Sequence, residues 1–274
     1  MKTKRIIILL SFIAFFGCQN NQLTEEKADN ELATEQILNE EKKGEEKDFV
    51  LTKLSGDCFP VVGDKYNYPI VPGMIEWQTA NSTDEIMKFQ QLPEDVLVSI
   101  STTGLVDALL FAPTFTSFYH LSNDATALKW HKQYELFNSA IELFKRKNAG
   151  DALVAYYKLV SFDCCDPIIV NETYMRIVGL ECLFTKNDIL DNMTHELKKE
   201  AIAALLANYE IRQDDSQNSI FPMTYILYAD KFEPLVKYAN ENEKEFQCLY
   251  NGYFDDIEEQ VDLIISFAKN FINI

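Results

Sequence analysis

Apolar side chains recur three and four residues apart along most of the chain, the period of helices that bury one stripe. The clearest case closes the sequence. Ile257, Val261, Ile264, Ile265, Ala268, Phe271 and Ile272 share one face, while Glu258, Glu259, Asp262, Ser266, Lys269 and Asn270 share the other. Leu197, Ala201, Leu205 and Tyr209 form a similar stripe behind Thr194, a residue suited to an N-cap. Tyr134, Phe137, Ile141 and Phe144 predict a helix stopped at Asn148-Ala149-Gly150, after which Asp151 caps another carrying Leu153, Tyr157 and Val160. Ser82-Thr83-Asp84-Glu85 reads as a capping box opening a short helix through Gln91. Pro93 opens the next at its first position, Glu94 to Ile100, and Ser101-Thr102 begins a third that Pro113 ends. Further helices are predicted from about Ile168 to Phe184, behind Asn187, and behind Thr194. Asp163-Cys164-Cys165-Asp166-Pro167 is read as a corner and Asp214 to Ser219 as a polar loop.

One stretch breaks the pattern. Phe49 to Gly73 holds Gly56, Pro60, Gly63, Pro69, Pro72 and Gly73 among short alternating pieces such as Phe49-Val50-Leu51-Thr52, and is predicted to be extended and rich in turns. The predicted architecture is therefore all-α: an array or irregular bundle of antiparallel helix pairs, following a short extended Pro-rich segment. No clean repeat period marks a regular solenoid.

The N-terminus has a different grammar. Lys2, Lys4 and Arg5 precede a largely apolar run from Ile6 to Phe16, the charged and hydrophobic parts of an export signal. At about 11 residues the run is too short to cross a bilayer, which takes about 20. It stops at Gly17-Cys18, which resembles the lipobox at which lipoprotein signals are cut and the new terminal cysteine is acylated, although Phe15 and Phe16 depart from the usual residues there. Residues 1–17 are thus expected to be a signal peptide and Cys18 a lipidated anchor. Each buried methylene of such a lipid contributes about 0.8 kcal/mol of membrane affinity. From Gln19 to Asp48 the chain is mostly Glu, Lys, Asn, Gln and Asp and cannot bury enough to order itself, so 18–48 is read as a tether with a reach of about 30 Å. Residues 49–274 then form a single helical domain, of a size that buries about 70% of its unfolded surface.

Composition limits what that domain can do. Formal charge is −18 over 274 residues, and loss of Lys2, Lys4 and Arg5 with the signal leaves 22 positive against 43 negative side chains, or −21. That balance argues against nucleic-acid partners. The nine glycines are too scattered for a phosphate loop, and neither a dinucleotide fingerprint nor a nucleophile elbow occurs, so no cofactor is expected. His120, His131 and His195 show no metal-ligand spacing and are read as surface or satisfied core residues, with no metal expected. Asp255-Asp256-Glu258-Glu259 is read as acidic complement to a helix N-terminus. Beyond Cys18, five cysteines remain, and Cys164, Cys165 and Cys182 are the candidates for a disulfide or thiol cluster, set against simple packing.

Tyr68-Pro69-Ile70-Val71-Pro72-Gly73-Met74-Ile75-Glu76-Trp77, then Leu92-Pro93-Glu94-Asp95-Val96-Leu97, then Ser101-Thr102 opening an apolar helix, resembles a family of secreted bacterial proteins. The family pattern runs Tyr-Pro, Pro-Gly, Glu-Trp, then Pro-Glu-Asp before a Ser-Thr helix start, and Phe137-Asn138 and Lys145 to Gly150 fit it as well. The resemblance covers roughly Tyr68 to Gly150 and implies export, without implying an activity. Tyr66, Tyr68 and Trp77 cluster about the Pro-rich segment and are the candidate ligand or partner surface, with a lid over the core as the competing reading. Trp77 is expected to anchor the segment on the first helices, leaving Tyr66 or Tyr68 at the rim of the main groove. The expectation for the whole is a lipid-anchored envelope protein, at the outer membrane or cell surface, with a non-enzymatic binding role toward a protein or glycan. An envelope hydrolase and an acidic immunity-like protein are the alternatives.

Overall fold

The computed structural model describes residues 51–53, 57–117, 126–162, 172–212, 217–251 and 257–274, so the signal, Cys18, the tether, and Cys164 and Cys165 lie outside the described residues. Strands β1 (Leu51–Thr52) and β2 (Val61–Val62) pair antiparallel, Leu51 opposite Val62, and no other strand occurs among the described residues. The other regular elements among the described residues are helices: α1 (Ile75–Gln78), α2 (Thr83–Lys88), α3 (Glu94–Ser99), α4 (Thr102–Leu110), α5 (Thr126–Tyr134), α6 (Asn138–Lys145) and α7 (Ala149–Tyr157). There follow α8 (Glu172–Leu183), α9 (Asn187–Leu190), α10 (His195–Arg212), α11 (Gln217–Ala229), α12 (Glu233–Glu241), α13 (Glu243–Asn251) and α14 (Ile257–Ile272). The fold is all-α, as the periodicity predicts.

Two short helices with little polar surface organise the bundle. In α4 every residue but Thr103 is buried, and α4 meets β2, α6, α7 and α8. In α11, Ser219 to Leu227 is buried, and that helix meets α8, α9, α10, α12, α13 and α14. A helix apolar all round must be surrounded, which is why its neighbours come from distant parts of the chain as often as from adjacent ones.

Caps set the boundaries. The Ser82 hydroxyl accepts from Glu85 N at 3.2 Å, and Glu85 returns a bond to Asn81 N at 2.6 Å, one residue earlier than in the simplest box. Ser101 Oγ accepts from Gly104 N at 2.9 Å, while Asp64 of the extended segment accepts from both the amide and the hydroxyl of Ser101, at 2.6 and 2.8 Å. At the other end of α4, two carbonyls are capped by side chains from elsewhere: Tyr68 Oη donates to Ala108 O, and Arg176 Nε to Leu110 O, both at 2.9 Å. Arg146 does the same for α3, donating to Leu97 O at 2.8 Å and Ile100 O at 2.7 Å.

Three sequence expectations shift. The stripe from Tyr134 to Phe144 is two helices, because the chain turns between α5 and α6 and the turn is held by side chains. Asn138 exchanges two bonds with the backbone of Leu92, and Gln91 accepts from Asn138 N and donates to Leu136 O. Those bonds satisfy backbone groups freed by the break. Gly150 does not stop a helix: Asn148 is the N-cap of α7 and Gly150 lies inside it, where a Cβ would collide with Met193. The loop expected through Ser219 is shorter, since α11 has begun by Gln217.

The core has one aromatic centre. Phe115, Trp130, Tyr134 and Phe137 are fully buried, the Phe115 ring meeting the other three and Trp130 meeting Tyr134, and Phe115 and Trp130 lie over Gly179 of α8. Tyr134 Oη donates to Gly179 O at 2.5 Å. His131 sits beside this cluster, its Nε2 2.7 Å from Thr185 Oγ1, with Lys186 near; burial and then the Lys186 charge hold its pKa down to about 4. A charged group is buried as well. Glu181 has no exposed surface; its Oε1 accepts from Tyr157 Oη at 2.5 Å, from Ser219 Oγ at 3.2 Å and from Arg212, whose guanidinium lies 4.6 Å over the Phe162 ring. This group ties α7, α8, α10 and α11 together.

Candidate functional site

A cleft walled by α9, α11, α12 and α13 has a volume of about 820 Å³. Its floor is aromatic and aliphatic. Tyr225 and Tyr228 lie three residues apart on one face of α11, and α13 docks so that Tyr250 meets both. The Tyr225 and Tyr250 rings stack with centroids 3.9 Å apart and 16° between planes. Tyr228 meets Tyr250 edge-on at 5.7 Å and leans on Phe246 at 5.1 Å. Leu190, Ala229 and Val236 fill in beside them.

The rim is exposed and polar. Asn187 and Asp191 flank the cleft from the α9 side, Lys231 and Glu233 from the turn between α11 and α12, and Lys237, Asn240 and Glu241 from α12. That turn is tight. Lys231 has φ 55°, Lys231 N bonds to Tyr228 O and Phe232 N to Leu227 O, both at 3.0 Å, so a lysine occupies the left-handed position more often given to glycine. Burial raises the pKa of Tyr225 and Tyr250 above the ordinary phenol value, and a hydrogen bond joins the two hydroxyls.

None of the candidate site residues read from the sequence lines this cleft. Tyr66 and Tyr68 meet edge-on at 5.0 Å over α4, and both pack against the core. Tyr68, and not Trp77, anchors the extended segment, because its hydroxyl can also cap the Ala108 carbonyl. Trp77 is half-buried on the single turn α1, its ring 6.1 Å from Phe89, beside a smaller cleft of about 370 Å³ that includes Ile70, Glu76 and Phe89. Cys182 takes no part in a disulfide: it is a free thiol at 1% exposure, its pKa pushed well up by burial and the neighbouring Glu181, which makes it inert packing. Cys58 and Cys248 are each held in a disulfide.

Of the histidines, His195 Nδ1 lies 2.7 Å from Asp230 Oδ2, with Lys198 Nζ 3.4 Å from the other oxygen, joining the start of α10 to the end of α11. His120, Asp255 and Asp256 lie outside the described residues, while Glu258 and Glu259 fall in the first turn of α14. Among the described residues no three His, Cys, Asp or Glu side chains gather as metal donors, and no helix is long and apolar enough to cross a membrane.

The chain matches no family model, no curated protein and no solved structure. Function is therefore argued from the cleft itself.

Proposed function

We propose that the chain is an envelope lipoprotein with a non-enzymatic binding role, fixed to the membrane by lipid on Cys18 and taking its ligand in the tyrosine-floored cleft. The cleft carries the reading: about 820 Å³ of open space with three phenols below and amides, carboxylates and ammonium groups above. Clefts of roughly 300 to 1,000 Å³ with an apolar floor and a few polar groups are the usual form of small-ligand sites. The open face of Tyr228 and the amides of Asn187 and Asn240 at the rim are groups suited to holding a ligand. The disulfides at Cys58 and Cys248 support export, since such bonds persist in oxidising compartments.

Two measurements test the parts separately. Cys18→Ala is expected to move the protein from membrane to soluble fractions, and membrane retention of that variant would defeat the anchor. Fractionated envelope extract is expected to raise the melting temperature of the wild-type chain and not that of Tyr228→Ala. Saturating ligand at a hundred times its Kd contributes about 2.7 kcal/mol. Equal responses in both chains would defeat the assignment to this cleft.

A further inference from the structure

We propose that the cleft is a saccharide site, holding a short stretch of neutral, linear oligosaccharide against the face of Tyr228. The proposal rests on the binding role argued above and names its ligand class.

The rings leave one place for stacking. Tyr225 and Tyr250 cover one face of each other, and Tyr225 is only 8% exposed. Tyr228 is braced by Phe246 and Tyr250 yet remains 42% exposed, the one large, open and immobilised aromatic surface in the cleft. A pyranose ring has one face of C–H groups and a perimeter of hydroxyls. Such a ring buries its apolar side on an electron-rich phenol while its hydroxyls stay at the rim, which is how an aromatic body with a wet edge is best used.

The polar groups match that perimeter. Asn187 and Asn240 each offer donors and an acceptor, Asp191 and Glu241 accept, and Lys237 donates. The hydroxyls of Tyr228 and Tyr250 can each donate or accept. Both senses of hydrogen bond are therefore available, as a hydroxyl-rich ligand requires. Charge on the rim is nearly balanced, two lysines against Asp191, Glu233 and Glu241, and the chain as a whole is at −18. That combination opposes phosphorylated or strongly acidic polymers and favours a neutral one.

A peptide fits less well. Extended peptides gain affinity by pairing with a sheet edge, and the walls here are helices whose main-chain groups are bonded internally. A helical peptide seeks an apolar groove, and this rim is charged.

The test is isothermal titration of the full chain, in detergent, with cellohexaose, maltohexaose and chitohexaose, and with an amphipathic helical peptide and a Pro-rich peptide for contrast. At least one hexasaccharide is expected to bind. Tyr228→Ala should weaken it about tenfold or more, as loss of a central aromatic anchor does, and Tyr228→Phe should change it about twofold or less. Asn240→Ala alters an exposed rim residue and is expected to weaken binding about threefold or more with an unchanged melt; it keeps the test sound if Tyr228→Ala fails to fold. Saccharide binding that Tyr228→Ala and Asn240→Ala both leave intact overturns the site. Binding of a peptide alone, lost in Tyr228→Ala, overturns the ligand class and leaves the proposed function standing. Binding of neither class, while envelope extract still stabilises the wild-type chain alone, again overturns only the ligand class; with no response to extract, both readings fall.

Discussion

Replacing Gly179 with alanine adds one methyl group to the middle of α8, and two effects of that group oppose each other. In a helix interior alanine is favoured over glycine by about 1 kcal/mol, so an open site would be stabilised. This site is closed. An ideal Cβ would stand 2.7 Å from Cε1 and Cζ of Phe115 and 2.8 Å from Cζ3 of Trp130, when carbon atoms prefer roughly 3.5 to 4.0 Å. Both rings are fully buried in the cluster with Tyr134 and Phe137, and Tyr134 is tied to the Gly179 carbonyl, so neither can retreat alone. Overpacking of this kind costs about 1 to 3 kcal/mol, and two rigid rings put it near the top of that range. The net expectation is a loss of about 2 kcal/mol, or a melting temperature lower by about 4 to 8 °C for a domain of this size. Urea denaturation of wild type, Gly179→Ala, Phe115→Leu and the double variant measures it. The double variant should lose less than the sum of the singles, because the smaller side chain vacates the methyl's space. A Gly179→Ala protein about 1 kcal/mol more stable than wild type would mean that helix propensity alone operates and that the aromatic packing described here is wrong.

Four further outcomes follow from the same structure. Tyr68→Phe should cost about 1 kcal/mol by orphaning the Ala108 carbonyl, and Trp77→Ala, half-buried, should cost less than the 3 to 5 kcal/mol usual for a fully buried tryptophan; equal large losses in thermal melts would return Trp77 to the core. His131, neutral in the fold with a pKa of about 4 against 6.5 in the unfolded chain, gives stability that is full above pH 6.5 and lost as pH falls from 6.5 to about 4. That is about 3 kcal/mol in all, so His131→Gln should flatten the wild-type slope in that window, and an unchanged slope would show that the ring titrates normally. Arg212→Met leaves Glu181 buried without its cation and should cost about 3 to 5 kcal/mol; a loss under about 1 kcal/mol on denaturation would show the pair to be solvated.

Local rules made much of the fold legible. The caps at Ser82, Ser101 and Thr194 and the stripe of α14 depend on residues within a turn or two, and each stands where the sequence puts it. The break at Glu135 to Phe137 was hidden because the bonds that hold it come from Gln91 and Leu92, more than forty residues earlier. Gly150 misled for a related reason: its space is claimed by Met193, not by any local turn. The cleft was hidden in the same way. Ile220 to Ala229 reads as an apolar helix, and nothing in its period distinguishes Tyr225 and Tyr228 from core until α13 brings Tyr250 against them. The available signal was the spacing of those two phenols on a largely apolar helix, followed by Lys231 in a position that usually takes glycine.

The separation of the cleft's tyrosines from both tryptophans has an optical consequence. The chain has two tryptophans, Trp130 sealed in the aromatic core and Trp77 half-buried on α1, and neither lines the tyrosine cleft. Excitation at the red edge of indole absorption therefore reports on the core around α5 and α8 and on the extended segment, with Trp130 emitting in the blue and Trp77 further to the red. Events in the cleft would register instead in the phenol bands of a difference absorption spectrum, where the stacked pair Tyr225 and Tyr250 gives a coupled signal sensitive to anything laid across it. One unlabelled sample thus carries two separable channels, one for unfolding and one for occupancy. A titration that moves the phenol bands, leaves indole emission still and is abolished by Tyr228→Ala reads occupancy of the cleft without disturbance of the core.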